Sequence, residues 1–436
     1  MPREETAWYE NEGVKNLFIK ASSNAMRGYH CIIAAPKLTF TGTNSLIDFI
    51  NYMGVYLAND ERRVLIVVDK DLRKKAEMVA DHLHTMKQIE CRVFDNVLPD
   101  APKPTVMEGV ALCNEFHPRV IIGIGGGSAL DTMKMIFVLY EMPSIDLNAV
   151  MAASWLGLRK KVKAIAAMPT TSGTGSETTF IAVMTDTDRN PPRKTAVVCY
   201  ELAPDFAVLN PDFVKTMPTG LALGTGFDAL AHAAGSYILT MSHDFTDMAN
   251  LKAIEMILKW LPRSVKYPDD MEAREKMQMA AFIAGVGFGN VSGGIEHGIG
   301  HSLGGLFHVH HGVCVGIYLP AAIAFQAKVT NRFIPLAKEF GVLVDGKTRD
   351  GILKELLVAL LQFMADTGFP VGINALTKPA ISKKEYLEKM DILVELSEND
   401  FTTLSAARWV DRNQYRRMAL AAYENKIDDL MELYHT

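Results

Sequence analysis

Short apolar runs alternate with longer helical stretches in the first half of the chain. Residues 64–68 (Val-Leu-Ile-Val-Val) are apolar and mostly β-branched, which is typical of a buried strand. Further runs of this kind lie at 91–94, 120–124 and 163–168. Between the runs, apolar residues recur at helical spacing, as in 71–86 and 105–116. Strands that alternate with helices predict a parallel, doubly wound α/β sheet.

The second half of the chain has a different pattern. Strand-like runs are few from about residue 216 onward, and long amphipathic stretches occupy 251–261, 272–287 and 350–367. This pattern predicts an all-α domain, which follows a boundary marked by prolines near 211–218. We therefore predict three parts: an N-terminal extension (1–30), an α/β domain (31–215) and a helical domain (216–436).

Composition narrows the class of protein. The 436 residues carry a net charge of -5, with 49% hydrophobic and 22% charged residues, as is ordinary for a globular enzyme. The small net charge argues against a nucleic-acid-binding protein. The five cysteines are few and widely spaced, so a disulfide framework is not expected. The sequence has no signal-peptide pattern and no apolar run of about 18 residues, so we predict a cytoplasmic protein without a membrane span.

Three consecutive glycines, 125–127, connect the predicted strand at 120–124 to the next helix. Because glycine has no Cβ, the backbone there can approach a ligand closely. The N–H groups at the start of the helix favour an anion such as a pyrophosphate, and Ser128 adds a hydroxyl. A tight turn without a ligand is the alternative interpretation.

A second loop of small polar residues follows the next strand. It reads Pro-Thr-Thr-Ser-Gly-Thr-Gly-Ser-Glu over 169–177 and could wrap a ribose or a pyrophosphate, or could be an ordinary polar loop. Ligands bind at the carboxyl ends of strands in doubly wound sheets, so two such loops favour a ligand. Asp69 directly follows the strand at 64–68. Its carboxylate could bind an adenosine ribose and repel a 2′-phosphate, which favours NAD over NADP, or it could be a helix N-cap.

The helical half contains a concentration of potential metal ligands. Asp228 and His232 stand at i and i+4, and His297 and His301 repeat this spacing. On a helix, such pairs project from one face. His310 and His311 follow shortly after. One carboxylate and three imidazoles suit Fe²⁺ or Zn²⁺, whereas a core histidine cluster without metal is the alternative.

Together these motifs resemble the iron-containing (group III) alcohol dehydrogenase family from about residue 36 to the C-terminus. The resemblance rests on Gly-Gly-Gly-Ser-x-x-Asp at 125–131, the loop at 169–177, Asp-Ala-Leu-x-His at 228–232, and the histidines at 297, 301 and 311. It implies a dehydroquinate synthase-like fold, with an NAD-binding domain before the helical metal-binding domain. The implied metal ligands are Asp228, His232, His297 and His311, and His301 matches an additional active-site histidine.

The resemblance also assigns residues to the cofactor NAD(H). The implied cofactor-binding residues are Asp69, Gly126, Gly127, Ser128, Asp131, Thr170, Thr171, Thr174 and Lys194. The chain departs from the family pattern at Ser302 and His310, where proline is frequent. It also has Gly235 in place of an acidic residue. These departures lie near the predicted site and bear on substrate preference.

The implied function is a metal-dependent alcohol dehydrogenase or aldehyde reductase that uses NAD(H) and one Fe²⁺ or Zn²⁺ per chain. The expected substrate is a small alcohol or aldehyde, and a homodimer or larger homo-oligomer is expected from the family. A dehydroquinate-synthase-type lyase is less favoured, because the metal motifs carry no lysine or arginine for a phosphorylated substrate. The remaining alternatives are a hydroxyacid–oxoacid transhydrogenase that retains NAD(H) and a non-catalytic assembly protein.

Overall fold

The computed structural model describes residues 32–147, 154–188 and 193–436 of the chain. The described residues divide into two compact units, Ala34–Met217 and Pro218–Thr436. The predicted extension at 1–30 lies outside the described residues. Within the described residues, none of the helices combines the length and apolarity that crossing a membrane requires.

The first unit is built on a parallel sheet. Its strands are β1 (Leu38–Thr41), β2 (Arg63–Asp69), β3 (Glu90–Val97), β4 (Val120–Gly125), β5 (Ala164–Pro169), β6 (Ile181–Asp186), β7 (Arg193–Val198) and β8 (Phe206–Leu209). Six of them form one sheet in the order β1-β8-β5-β4-β2-β3, and every pairing in it is parallel. This confirms the predicted doubly wound sheet. β6 and β7 form a separate antiparallel pair that the apolar pattern did not predict.

Helices cover both faces of this sheet. They are α1 (Ser45–Tyr56), α2 (Arg73–Lys87), α3 (Lys103–Phe116), α4 (Gly127–Glu141) and the short α5 (Pro211–Val214). Successive residues of a strand point to opposite faces. Ile66 of β2 therefore packs in one core with residues of α1 and α2, whereas Leu65 packs in another with residues of α3 and α4. A strand buried on both faces is apolar throughout, which explains the continuous run at 64–68.

The direction of chain progression reverses between β2 and β4. The chain leaves β2 toward β3 at one edge of the sheet, and after β4 it proceeds toward β5 in the other direction. β2 and β4 are neighbours in the sheet. The loops at their carboxyl ends therefore diverge, which forms the crevice where doubly wound sheets bind ligands.

The second unit is helical throughout its described residues, as predicted. Its helices are α6 (Thr219–Ile238), α7 (Asp244–Lys266), α8 (Met271–Gly289), α9 (Ile295–Phe307), α10 (His311–Ala327), α11 (Phe333–Glu339), α12 (Arg349–Thr367), α13 (Lys383–Glu388), α14 (Met390–Glu398), α15 (Arg412–Ala422) and α16 (Ile427–His435). Their apolar faces share one core that includes Phe227, Ile254, Leu303 and Tyr318. The stretch at 251–261 is the middle of the longer α7, whose polar first turn obscured its start.

Candidate functional site

The four side chains predicted as metal ligands lie together in the second unit. Asp228 and His232 occupy successive turns of α6 and project from one face. His297 lies in the first turn of α9, and His311 opens α10. One potential ligand atom from each residue lies within 4.8 Å of those of the other three. We call these four residues the Asp228 cluster.

The carboxylate of Asp228 is at the centre of this cluster. Its Oδ1 lies 3.3 Å from Nε2 of His311, 3.8 Å from Nδ1 of His232 and 3.9 Å from Nε2 of His297. Asp228, His232 and His297 are buried, whereas the His311 side chain is 39% exposed. The cluster is thus enclosed on three sides and reaches solvent at His311.

A close contact between two helices brings His311 to this position. Gly312 in the first turn of α10 packs directly on α6. A Cβ atom at Gly312 would lie 2.1 Å from the carbonyl oxygen of Gly224 and 3.0 Å from Cβ of Asp228. Any larger residue at Gly312 would push α10 away from α6. The glycine therefore sets the distance between His311 and Asp228.

The residues of the cluster fit a divalent metal. Asp228 Oδ1 and His297 Nε2 are buried and have no hydrogen-bond partner among the described residues. Buried polar atoms are normally paired, so a set of such atoms converging on one point is typical of ligands around an ion. Burial alone would raise the pKa of Asp228. The charges of His232 and His311 outweigh it and hold this pKa well below its ordinary range, so the carboxylate is ionised. One carboxylate with three imidazoles suits Zn²⁺ or Fe²⁺.

His301 lies beside the cluster but is not one of the four. Its ring stacks on that of His311, with centroids 5.1 Å apart. Its Nδ1 lies 2.7 Å from Oδ2 of Asp400, and Oδ1 of Asp400 accepts the backbone N–H of Thr402. Burial lowers the pKa of His301. Burial acts against the ionised form of Asp400, but the charge and hydrogen bond of His301 lower its pKa to about 2.

Sequence reasoning did not identify Asp400. It is separated from His301 by 99 residues and stands in a short polar segment before the 3-10 turn at Phe401–Ser405. No local spacing connects the two residues. Only the packing of this turn against α9 brings the carboxylate to the imidazole.

In the first unit, Asp69 and the two predicted cofactor loops lie at the carboxyl ends of β2, β4 and β5. Gly125 has φ +155°, and a Cβ there would lie 2.8 Å from Oδ2 of Asp69. A Cβ at Gly126 would lie 3.3 Å from Cγ2 of Thr171, and one at Gly127 would lie 3.1 Å from Cγ2 of Thr174. The two small-residue loops therefore pack closely at Gly126 and Gly127.

Asp69 stands at the N-cap position of a short 3-10 turn, but its side chain makes no capping hydrogen bond. Desolvation raises the pKa of Asp69, and the neighbouring charge of Asp71 adds to this effect. The carboxylate thus lies partly buried beside Gly125 and is not used to cap the turn. This placement favours the ligand-binding interpretation over the capping interpretation.

Asp131 and Lys134 of α4 hold the second loop from inside the unit. The Asp131 carboxylate accepts hydrogen bonds from Oγ of Ser176 at 3.0 Å and from N of Val183 at 3.2 Å. Lys134 is fully buried, and its Nζ donates to the carbonyl oxygens of Thr179 at 2.8 Å and Ile181 at 2.9 Å and to Oγ of Ser176 at 3.1 Å. Both side chains therefore tie the loop to the helix.

These contacts give Asp131 a role inside the protein, since each of its oxygens accepts one hydrogen bond. Its assignment to the pyrophosphate site stays a prediction of the resemblance. Lys134 was not selected from the sequence, although a lysine within the buried face of a helix was a usable signal. Burial lowers the pKa of Lys134 to about 8 and raises the pKa of the nearby buried Glu177 to about 7.

The remaining cofactor residues lie around these loops. Lys194 lies on β7, and its Nζ is 2.8 Å from Oδ1 of Asp100. Oγ of Ser128 accepts a hydrogen bond from the backbone N–H of Asp100 at 3.2 Å. Thr170 is buried and donates its backbone N–H to the carbonyl oxygen of Gly125. The segment with Asp100 thus connects β7 to the start of α4.

Family models match both halves of the chain. The model described as iron-containing alcohol dehydrogenase matches residues 40–211. The model for the C-terminal part of the Fe-containing alcohol dehydrogenase family matches residues 222–418. The second match contains every residue of the Asp228 cluster and His301.

Individual relatives extend this similarity over nearly the whole chain. The NADPH-dependent butanol dehydrogenase of Clostridium saccharobutylicum is 31% identical over 392 residues, which cover 89% of this chain and 97% of that protein. The NAD-dependent methanol dehydrogenase of Bacillus methanolicus is 33% identical over 318 residues, which cover 71% and 81%. The structure of an alcohol dehydrogenase from Oenococcus oeni superposes with a TM-score of 0.81 at 27% identity, covering 90% of this chain and all of that one.

Proposed function

We propose that this chain, which belongs to the iron-containing alcohol dehydrogenase family, is an NAD(H)-dependent alcohol dehydrogenase or aldehyde reductase. Its substrate would be a small primary alcohol, a diol or a functionalised aldehyde. The observation that supports this most strongly is the Asp228 cluster, in which one carboxylate and three imidazoles converge. A cytoplasmic homodimer or larger homo-oligomer is part of the proposal by analogy with the family.

Each part of the cluster has a defined task in this reaction. Asp228, His232, His297 and His311 would hold Fe²⁺ or Zn²⁺, which supplies a Lewis acid for the substrate oxygen and so favours loss of the hydroxyl proton. Oxidation of an alcohol releases this proton and a hydride, which the nicotinamide of NAD⁺ accepts at C4. The partly exposed His311 leaves access for a substrate on the solvent side of the cluster.

His301 is the group we assign to the proton. Asp400 accepts the Nδ1–H of His301, which fixes the imidazole tautomer and leaves Nε2 to receive the hydroxyl proton. The low pKa of Asp400 means that it stays ionised and does not itself take up the proton. His301 is 27% exposed, so the proton can pass on to solvent.

Asp69 supports NAD as the preferred cofactor. The relatives do not decide this question, because one is named as NADPH-dependent and another as NAD-dependent. Repulsion between an ionised Asp69 and a 2′-phosphate would weaken the binding free energy of NADP⁺ by about 1–2 kcal/mol. We expect D69S to improve kcat/KM for NADP⁺ roughly five- to thirty-fold relative to NAD⁺. The ratio of the two kcat/KM values measures this, and an unchanged ratio would reject the role of Asp69.

The decisive test combines metal content with activity. We expect anaerobically purified protein to contain about one Fe or Zn per chain and to reduce NAD⁺ with short alcohols. Chelation should abolish the activity, and added Fe²⁺ or Zn²⁺ should restore it. Protein without metal that gains no activity from either ion would contradict the proposal. Turnover that needs an added oxoacid, with NAD(H) retained on the protein, would instead indicate a transhydrogenase.

A further inference from the structure

Glu296 is a fully buried carboxylate next to the Asp228 cluster. It directly precedes His297 in the first turn of α9, and its exposure is 0%. Its Oε1 lies 3.0 Å from Nδ1 of His297. Consecutive residues on a helix normally point in different directions, so this contact requires the Glu296 side chain to fold back along the helix. The other ring nitrogen of His297 is directed at the cluster, since Nε2 lies 3.9 Å from Asp228 Oδ1.

Two glycines leave the space that this carboxylate fills. A Cβ at Gly235 of α6 would lie 2.1 Å from Oε1 of Glu296, and a Cβ at Gly294 would lie 2.3 Å from its Oε2. No real Cβ approaches an oxygen so closely. The Glu296 carboxylate, which extends from α9, thus occupies the space beside α6 that a side chain at position 235 would otherwise fill.

The charge of Glu296 needs compensation. A buried carboxylate is costly unless it is paired, and the described residues place no lysine or arginine in an ion pair with it. Its Oε2 has no hydrogen-bond partner among the described residues. The N-terminus of α9 compensates only part of one negative charge. A dication in the cluster would balance the two buried carboxylates, Asp228 and Glu296, while the three imidazoles stay neutral.

We propose that Glu296 is a positioning residue that orients His297 toward the metal, and that Gly235 is required to admit it. This inference deepens the proposed function and rests on it. Carboxylates that accept the second N–H of a ligating histidine fix its tautomer and ring orientation and raise its basicity. Glu296 thereby supports metal affinity without contacting the metal.

Metal affinity tests this directly, without any measurement of activity. In the full chain, E296Q keeps the shape and a hydrogen-bond acceptor but removes the charge, whereas E296A removes both. Competition with a chelator of known affinity should show Zn²⁺ and Co²⁺ binding roughly tenfold weaker in E296Q and up to 100-fold weaker in E296A. The visible spectrum of bound Co²⁺ should change with the orientation of His297.

Thermal unfolding separates this role from a structural one. If Glu296 positions His297, the metal-free Tm of E296Q should stay near that of the wild type, because glutamine fills the same space and its amide oxygen can still accept the His297 Nδ1–H. The rise in Tm on adding Zn²⁺ should then be smaller. A lower metal-free Tm with unchanged Zn²⁺ affinity would overturn the inference and show that Glu296 only supports the fold.

Gly235 provides a second, independent variant. Alanine favours a helix more than glycine does, so G235A would stabilise α6 if nothing opposed it. We expect instead that G235A displaces the carboxylate and weakens Zn²⁺ binding about as much as E296A. In the E296A background it should have little further effect. G220A is the matched control, because it lies on the same helix and a Cβ there meets nothing within 4 Å.

The outcomes distinguish the two proposals. A wild-type chain that binds neither Zn²⁺ nor Co²⁺ would overturn the proposed function and this inference together. A wild-type chain that binds metal, with E296Q and G235A binding equally well, would overturn this inference alone. Weakening by G235A that persists fully in the E296A background would also overturn it.

Discussion

The Asp228 cluster and the loops after β2, β4 and β5 are organised in opposite ways. In the cluster, the chemistry resides in side chains on helices, and α6 itself sets the spacing of Asp228 and His232. The loops present backbone groups and small side chains, and helical spacing does not set the positions of these groups. Two side chains of α4, Asp131 and Lys134, hold the loop after β5 instead, through hydrogen bonds to it and to β6.

This difference concerns where the stabilising groups lie. Around the cluster they are carboxylates that lie behind the histidines: Asp400 contacts His301, and Glu296 contacts His297. In the first unit a buried cation fulfils this purpose, because loop carbonyls need a donor rather than a carboxylate. Substitution of a metal ligand should therefore abolish metal binding and activity without unfolding the protein. Substitution of Lys134 should make the loop less ordered without changing the metal content.

The largest effect is expected from removing a ligand of the cluster. H297A leaves Asp228 with two imidazole partners and should reduce bound metal to below about a tenth of an ion per chain, with activity falling by more than about 10³-fold. Elemental analysis and steady-state kinetics measure the two quantities.

H308N is the control for this variant. His308 is exposed and has φ 56°, a backbone conformation that asparagine tolerates. The H308N variant should keep the metal content and the activity of the wild type. NADH titration of H297A should still report cofactor binding, since the loop residues lie in the first unit. Full metal occupancy in H297A would remove His297 from the ligand set.

A smaller effect is expected from the proton-transfer pair. H301A should lower kcat by roughly 10²–10⁴-fold, the usual contribution of a general acid–base, while metal content stays near that of the wild type. D400N should lower kcat less, because the imidazole remains but loses its fixed tautomer. Metal analysis of the same preparations decides between roles: loss of metal in H301A would make His301 a ligand.

The sequence predicted the cluster more completely than the loops, for a physical reason. The i, i+4 spacing of Asp228 and His232 is a property of a single helix, so it is visible without the fold. Gly125–Gly127 and the threonines at 170–174 were also visible, because loops at strand ends need small residues. Asp400 and Glu296 could not be assigned, since Asp400 depends on a contact across 99 residues and Glu296 on the space left by a glycine of another helix.

K134M tests the loop side of the comparison. Removing the ammonium leaves the carbonyl oxygens of Thr179 and Ile181 without their donor and Asp131 without its nearby cation. We expect a loss of roughly 3–5 kcal/mol in unfolding free energy, or about 10 °C in Tm. NADH binding should weaken roughly tenfold because the loop is less ordered, while metal content is unchanged. The exposed Lys74 gives the control, K74M, and equal NADH affinity in K134M would show that the loop does not need this lysine.

The smallest effect concerns Glu177, which is buried in the same loop. Desolvation raises its pKa to about 7 in the folded chain, above the ordinary value of 4.5. Between these values the folded state binds a proton that the unfolded state has released, so stability falls as the pH rises from about 4.5 to about 7 and is constant above. The whole change is at most ~3 kcal/mol.

E177Q has no titrating group at this position. The difference in Tm between the wild type and E177Q therefore reports the contribution of Glu177 to the pH dependence of stability. The Tm of the wild type minus that of E177Q should be most positive near pH 4.5 and should decrease steadily up to about pH 7. The carboxylate of Asp228 does not titrate in that interval, because its pKa lies below it, and the Asp228 cluster is the same in both proteins. A Tm difference that stays constant from pH 4.5 to 7 would mean that Glu177 is ionised in the folded chain. The ammonium of Lys134 would then stabilise a charged partner, and the loop would depend on an ion pair rather than on hydrogen bonds alone.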